Sequence, residues 1–95
     1  MRLSPHAVTL LTTALHQLDP HARLFLFGSR TDNRARGGDI DLLILSRTLR
    51  PRDVRPLRLA FFHEFGEQKL DILIDDGSLR TPFVRHVFPQ AMELT

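Results

Sequence analysis

Gly28-Ser29 and the alternating pair Asp39-Ile40-Asp41 flank a polar loop, and a third acidic residue, Asp71, stands in the later run Leu70-Asp71-Ile72-Leu73-Ile74. A turn that can approach phosphate oxygens, set against carboxylates opening a hydrophobic strand, is what metal-dependent nucleotidyl transfer needs. Successive strand side chains point to opposite faces, so Asp39 and Asp41 share one face and Ile40 takes the other. Two carboxylates about 4 Å apart repel by roughly 4 kcal/mol at an effective dielectric near 20, so the pair seeks a cation or a proton. A divalent metal answers that need. Asp71 is costly to bury in its apolar run unless it is paired, hydrogen-bonded or metal-bound, which makes it the third candidate ligand. Gly28 lets backbone come close to a ligand, and Ser29 can offer its hydroxyl and amide to phosphate oxygens, with Arg30 beside them as a phosphate contact.

Other chemistries are excluded or unsupported. There is no Gly-x-x-x-x-Gly-Lys phosphate loop and no Gly-x-Gly-x-x-Gly after a strand. His63-Glu64-Phe65-Gly66-Glu67 begins like a zinc-protease helix but carries Glu67 where the second histidine is required. The absence of cysteine removes disulfides and thiolate zinc sites. The basic residues are twelve arginines and one lysine, which raises the isoelectric point to about 10.4 although the formal charge is only +2. So small a net charge is a weak argument for a nucleic-acid partner. The cluster Arg47, Arg50, Arg52, Arg55 and Arg58 reads first as a solvated face, with contact to an acidic partner or RNA as the alternative. No run of about eighteen apolar residues and no signal-like start is present, so a cytoplasmic protein without membrane contact is expected.

The elements that must position these residues are legible from periodicity and punctuation. Ser4-Pro5 is a cap followed by a first-turn proline, and Val8, Leu11, Leu15 and Leu18 recur at helical spacing, which predicts a helix over 5–18. Arg23 to Phe27 is a short buried strand closed by Gly28. Residues 29–38 form a turn or short helix opening into a loop. Asp39 to Leu45 is a second strand. Asp53 is placed to cap a helix whose buried face carries Val54, Leu57, Phe61 and Phe65 and whose end is Gly66. Phe61, Phe62 and Phe65 are core candidates. Lys69 to Ile74 is a third strand, Asp75 to Ser78 a turn, and Thr81-Pro82 starts a last helical stretch through Phe83, Val84 and Val87, broken or restarted at Pro89.

Ninety-five residues support one core, and a single domain over 1–95 is expected. The helix between the second and third strands is long enough for a parallel crossover, which sets Asp39, Asp41 and Asp71 side by side at the strand starts. Gly28 reaches the same edge only if the first strand runs antiparallel to the second. The fold class is therefore α/β of the α+β type, a small mixed sheet flanked by helices.

Gly28-Ser29, Asp39-Ile40-Asp41 and Asp71 in a later apolar strand resemble the minimal nucleotidyltransferases of the polymerase-beta superfamily over roughly residues 5–90. The resemblance implies a mixed sheet flanked by helices, two magnesium ions held by Asp39 and Asp41, and Asp71 completing the carboxylate set and helping to activate the attacking hydroxyl. It places Gly28 and Ser29 on the triphosphate of ATP or another nucleoside triphosphate. Small members of this kind generally lack a domain that holds the acceptor, and many work with a small all-helical partner of the HEPN or substrate-binding type. Some such pairs are toxin–antitoxin systems in which the transferase, as antitoxin, adenylylates a tyrosine of its partner. The resemblance thus implies AMP transfer to a partner protein. The alternatives are a non-catalytic subunit that neutralises its partner by contact, and a transferase acting on a small molecule or RNA.

Overall fold

The computed structural model describes residues 3–28, 40–66 and 69–95. Helix α1 spans Pro5–Leu18; Ser4 caps it by accepting the Ala7 N–H at 3.1 Å, and Pro5 occupies the first turn where no donor is required. Strands β1 (Arg23–Phe27), β2 (Ile40–Leu45), β3 (Leu70–Asp75) and β4 (Met92–Glu93) form one sheet in the order β3-β2-β1-β4. β1 is antiparallel to both β2 and β4, whereas β2 and β3 are parallel. The mixed sheet and both predicted strand directions are thus present. The predicted turn or short helix over 29–38 lies outside the described residues.

The parallel crossover contains helix α2 (Arg55–Phe65), preceded by a 3-10 turn over Pro51–Val54. Asp53 does cap this region, but for the turn: its carboxylate accepts the Arg50 N–H at 2.9 Å, and the α-helix begins only two residues later. Gly66 ends α2 at φ 82°, donating its N–H to Phe62 at 2.8 Å, as the sequence predicts. Helix α3 (Pro82–Val87) runs into a 3-10 turn over Phe88–Gln90, where Pro89 breaks the helix. Short strand β4 then returns the chain to β1. The sequence contains no pattern long enough to reveal β4, because a two-residue strand has no period to read.

Alternation divides the sheet into two unlike faces. Leu24, Leu26, Leu42, Ile44 and Leu70 pack with Leu11 and Leu15 of α1 and with Val54, Leu57 and Phe61 near and on α2, in the main core. The opposite face carries Phe25, Phe27 and Leu43, covered by Val84 of α3. Phe61 is buried as predicted, while Phe62 and Phe65 lie at the core margin. At the far end of β2, Ser46 Oγ donates to Asp19 at 2.6 Å and the Ser46 N–H reaches the Asp75 carbonyl at 2.9 Å, tying the end of α1 to both parallel strands. The Ser46 hydroxyl, and then the His21 amide, hold the Asp19 carboxyl below its ordinary value.

Strand β4 is secured by Arg23, whose Nε and Nη2 donate to the two carboxylate oxygens of Glu93 at 2.9 and 2.8 Å. That grip, with the Thr95 hydroxyl second, pulls the Glu93 pKa from 4.5 down to about 2. A carboxylate whose pKa is lower when folded stabilises the fold above its unfolded pKa and loses that contribution as pH falls through its folded one. Glu93→Gln should therefore lower thermal stability at neutral pH by about 0.2–1 kcal/mol, the range of a solvent-screened pair. The gap between the native protein and the variant should close between pH 4.5 and about 2. Thermal melts across that range provide the test, and a gap unchanged at the acid end would contradict the assignment.

Candidate active site

Asp41 and Asp71 are both the second residue of their strands, and the parallel ladder makes them direct partners in register. They point to the same face because residues opposite one another in a ladder share a side. On the other flank of Asp41 its register partner is Phe27 of β1. A row Asp71–Asp41–Phe27 therefore crosses three strands at one end of the sheet. The next row, Leu73–Leu43–Phe25, is apolar and packed beneath the segment that contains α3. Asp41 is half-buried, whereas Asp71 is exposed. The concern that Asp71 would be buried in its apolar run is removed by its position in the first turn of the ladder on an edge strand, where water reaches it.

Gly28 completes this end of the site. It follows Phe27 directly at φ 78°, a left-handed conformation that glycine adopts without steric cost. A Cβ built on it would collide with a carboxylate oxygen of Asp41 and lie 3.1 Å from Asp41 Cγ. The glycine thus leaves the space that the Asp41 carboxylate occupies, a function beyond the turn-forming one that the sequence suggests. Ser29, Arg30 and Asp39 lie outside the described residues.

The donor chemistry fits a hard divalent cation. Neighbouring strands are about 4.8 Å apart, and two unit charges at that spacing repel by about 3.5 kcal/mol at an effective dielectric near 20. Carboxylate oxygens are the ligands that magnesium-like ions take. Asp41 and Asp71 are the described residues that would hold such an ion, and the cradle at Gly28 holds one of them in place. Among the described residues no group of three or more histidine, cysteine, aspartate or glutamate side chains is gathered at metal-binding distance.

Arg58 departs from the solvated basic face that the sequence suggests for it. Its guanidinium instead donates to the Leu70 carbonyl, at the peptide that leads into Asp71. The signal was available: Val54, Leu57, Arg58 and Phe61 follow the i, i+3, i+4, i+7 spacing of a buried stripe, so Arg58 stands where an apolar residue would face the sheet. Arg47 and Arg50 line an open groove at the opposite end of the sheet together with Ser46, Thr48 and Arg80. The acids of that region serve their own loops: Asp75 accepts the Gly77 and Leu79 amides at 2.8 and 3.1 Å, and Asp76 accepts the Ser78 amide at 2.9 Å. The groove is therefore built of loop ties and lies the full length of a strand from the aspartates.

A mixed sheet with paired carboxylates at the parallel strand starts, beside a glycine turn, defines a scaffold for phosphoryl chemistry on nucleotides. Residues 8–93 match the family model described as a nucleotidyltransferase domain, and the chain belongs to that family, within the polymerase-beta superfamily. A comparison with curated proteins returned no match. Membership makes this a transferase domain, and its sheet is the fold of that superfamily. Domains of this family generally use a nucleoside triphosphate and a divalent metal. Among the described residues no helix is long and apolar enough to cross a membrane.

The cradle leads to a specific expectation for Gly28→Ala. Placing an L-residue at this φ costs about 1–2 kcal/mol, and the added methyl must displace the Asp41 carboxylate. The variant should melt several degrees lower and transfer nucleotide about 100-fold more slowly, the scale of an ångström-sized misplacement of a reacting group. Wild-type transfer by a stably folded Gly28→Ala protein would show that the close approach has no catalytic purpose.

Proposed function

We propose that the protein transfers a nucleoside monophosphate, with AMP from ATP as the leading case, to a hydroxyl of a partner protein. The acceptor we favour is a tyrosine of a small helical HEPN-type protein, with the transferase acting as its antitoxin. The observation that carries the transfer chemistry is the register pairing of Asp41 with Asp71 against the Gly28 turn. Support for an acceptor held by another body is that all three described helices belong to packed clusters on the two sheet faces. The choice of a HEPN-type protein rests on the resemblance to minimal family members.

In this reading Asp39, Asp41 and Asp71 would hold the divalent metal, and Gly28, Ser29 and Arg30 would meet the triphosphate. The bound metal would neutralise triphosphate charge and favour ionisation of the attacking hydroxyl. Asp41, fixed by the glycine cradle, sets the position of the reacting phosphate. Asp71, exposed on the edge strand, faces the side from which an acceptor can arrive and takes the proton of its hydroxyl. The acceptor oxygen forms a bond to the α-phosphorus, the α-phosphorus–oxygen bond to pyrophosphate breaks, and the proton passes from Asp71 to water. Positioning and charge neutralisation contribute most of the rate in such reactions.

The test is intact-mass spectrometry of the purified protein incubated with a co-expressed helical partner, magnesium and each of the four ribonucleoside triphosphates. A nucleotide-monophosphate increment on the partner is expected, identifying the base. Asp41→Asn should remove it, with transfer reduced by about 100-fold or more in a protein that still folds. A stable complex without any increment would favour the contact-only subunit, and an increment on RNA or a small molecule alone would replace the protein acceptor.

A further inference from the structure

The face that carries Asp41 and Asp71 ends in an aromatic pair that the phosphate chemistry does not use. Phe27, buried to 6 % exposure, is the register partner of Asp41, and the ring of Phe83 meets it edge-on, with centroids 6.2 Å apart and planes at 71°. Phe83 itself is 52 % exposed, although the apolar spacing of Phe83, Val84 and Val87 suggests a buried helical face. Val84 is the residue that α3 buries on the sheet. A phenyl ring fixed by an aromatic neighbour and left open to water beside a carboxylate row loses little freedom when a second planar group covers it.

We infer that Phe83 is the nucleobase platform of this site: a nucleoside triphosphate whose phosphates lie at the Asp41–Asp71 row stacks its base on the exposed Phe83 ring, with Phe27 bracing that ring from the sheet. The inference rests on the transfer reading above and adds the part of the substrate that the aspartates do not contact. The row orders the components. Asp71 lies on the edge strand, Asp41 is in the middle, and Phe27 with Phe83 above it stands on the flank away from Asp71. With the α-phosphate at the carboxylates and the β- and γ-phosphates past the end of β1 at Gly28, the sugar and base are left to lie over the sheet face, where Phe83 stands on Phe27. Stacking tolerates any base because every base has a π-face, and it favours the larger purines by contact area.

The chain has neither tryptophan nor tyrosine, so Phe83→Trp introduces the sole indole at the proposed contact. The probes are ATP and inorganic tripolyphosphate, each with magnesium, read by indole fluorescence and by thermal shift. ATP is expected to quench or shift the indole emission, and tripolyphosphate to stabilise the fold without doing so. Phe83→Ala should weaken ATP binding by roughly 5- to 150-fold, the loss of one aromatic stack, and leave tripolyphosphate binding unchanged. Stabilisation by both probes with indistinguishable indole spectra, or equal weakening of both by Phe83→Ala, would overturn the platform and leave the phosphate site intact. Stabilisation by neither probe would remove the transfer reading, and this inference with it.

Discussion

The parallel pairing of β2 with β3 is the constraint on which the site depends, because Asp41 and Asp71 become neighbours only in that register. Parallel strands cannot be joined by a tight turn, so the chain between them must cross over, and α2 is the element that makes the crossover affordable by packing its own apolar face on the sheet. A slip of one residue would turn Asp71 toward the main core and Leu70 toward water. Contacts at both ends resist it. The Ile40 N–H reaches the Lys69 carbonyl at 2.9 Å at the site end, and the Ser46 N–H reaches Asp75 at 2.9 Å at the far end. Arg58 adds a hold from the crossover helix to Leu70, next to the catalytic candidate. The Ser46–Asp19 contact then couples the register to α1.

The sheet's two faces divide burial from chemistry. One is closed by α1 and α2 over a continuous aliphatic layer that includes Leu24, Leu26, Leu42 and Ile44. Among the described residues the other carries Val84 over Phe25 and Leu43, and the adjoining row is given to Asp71, Asp41 and Phe27. Carboxylates placed in the first face would need desolvation with no compensating partner, costing several kcal/mol each. In the second, one row removed from the apolar cover, they keep access to water while standing on a rigid ladder. A site on strands rather than on a loop holds its groups more closely to one geometry.

Much of this arrangement was legible because strand alternation and helix periodicity are strong signals. Asp41 beside Ile40 reveals its face, Ser4-Pro5 marks the start of α1, and Gly66 marks the end of α2. The dozen apolar-periodic residues between two strands imply the parallel crossover and hence the meeting of Asp41 with Asp71. Other features have no local signature. The two residues of β4 pair through backbone and through the distant Arg23–Glu93 contact, which no short window contains. Asp53 is a capping residue in either reading, whether of an α-helix or of the 3-10 turn that precedes it. Phe83 carries the same apolar character as Val84, and only the orientation of α3 on the sheet decides which of the two is buried. The close approach of Gly28 to Asp41 is likewise a property of two strands in register, not of either motif alone.

The unequal exposure of the two aspartates gives the row a direction. Asp41 is flanked on both sides by strands and pressed against a glycine, so its carboxylate has little freedom to follow a moving ligand. Such a group suits the part of a reaction that must not move, the charge at the phosphorus. Among the described strands Asp71 has a paired neighbour on one side, since β3 is an edge of the sheet, and its side chain is exposed. A carboxylate there can meet a hydroxyl brought by a second macromolecule without that molecule having to penetrate the fold. An acceptor arriving over Phe27 would instead meet Phe83 and α3. Among the described residues, the edge beside Asp71 carries no further strand, so a hydroxyl acceptor of the proposed kind would meet Asp71 there by presenting one side chain.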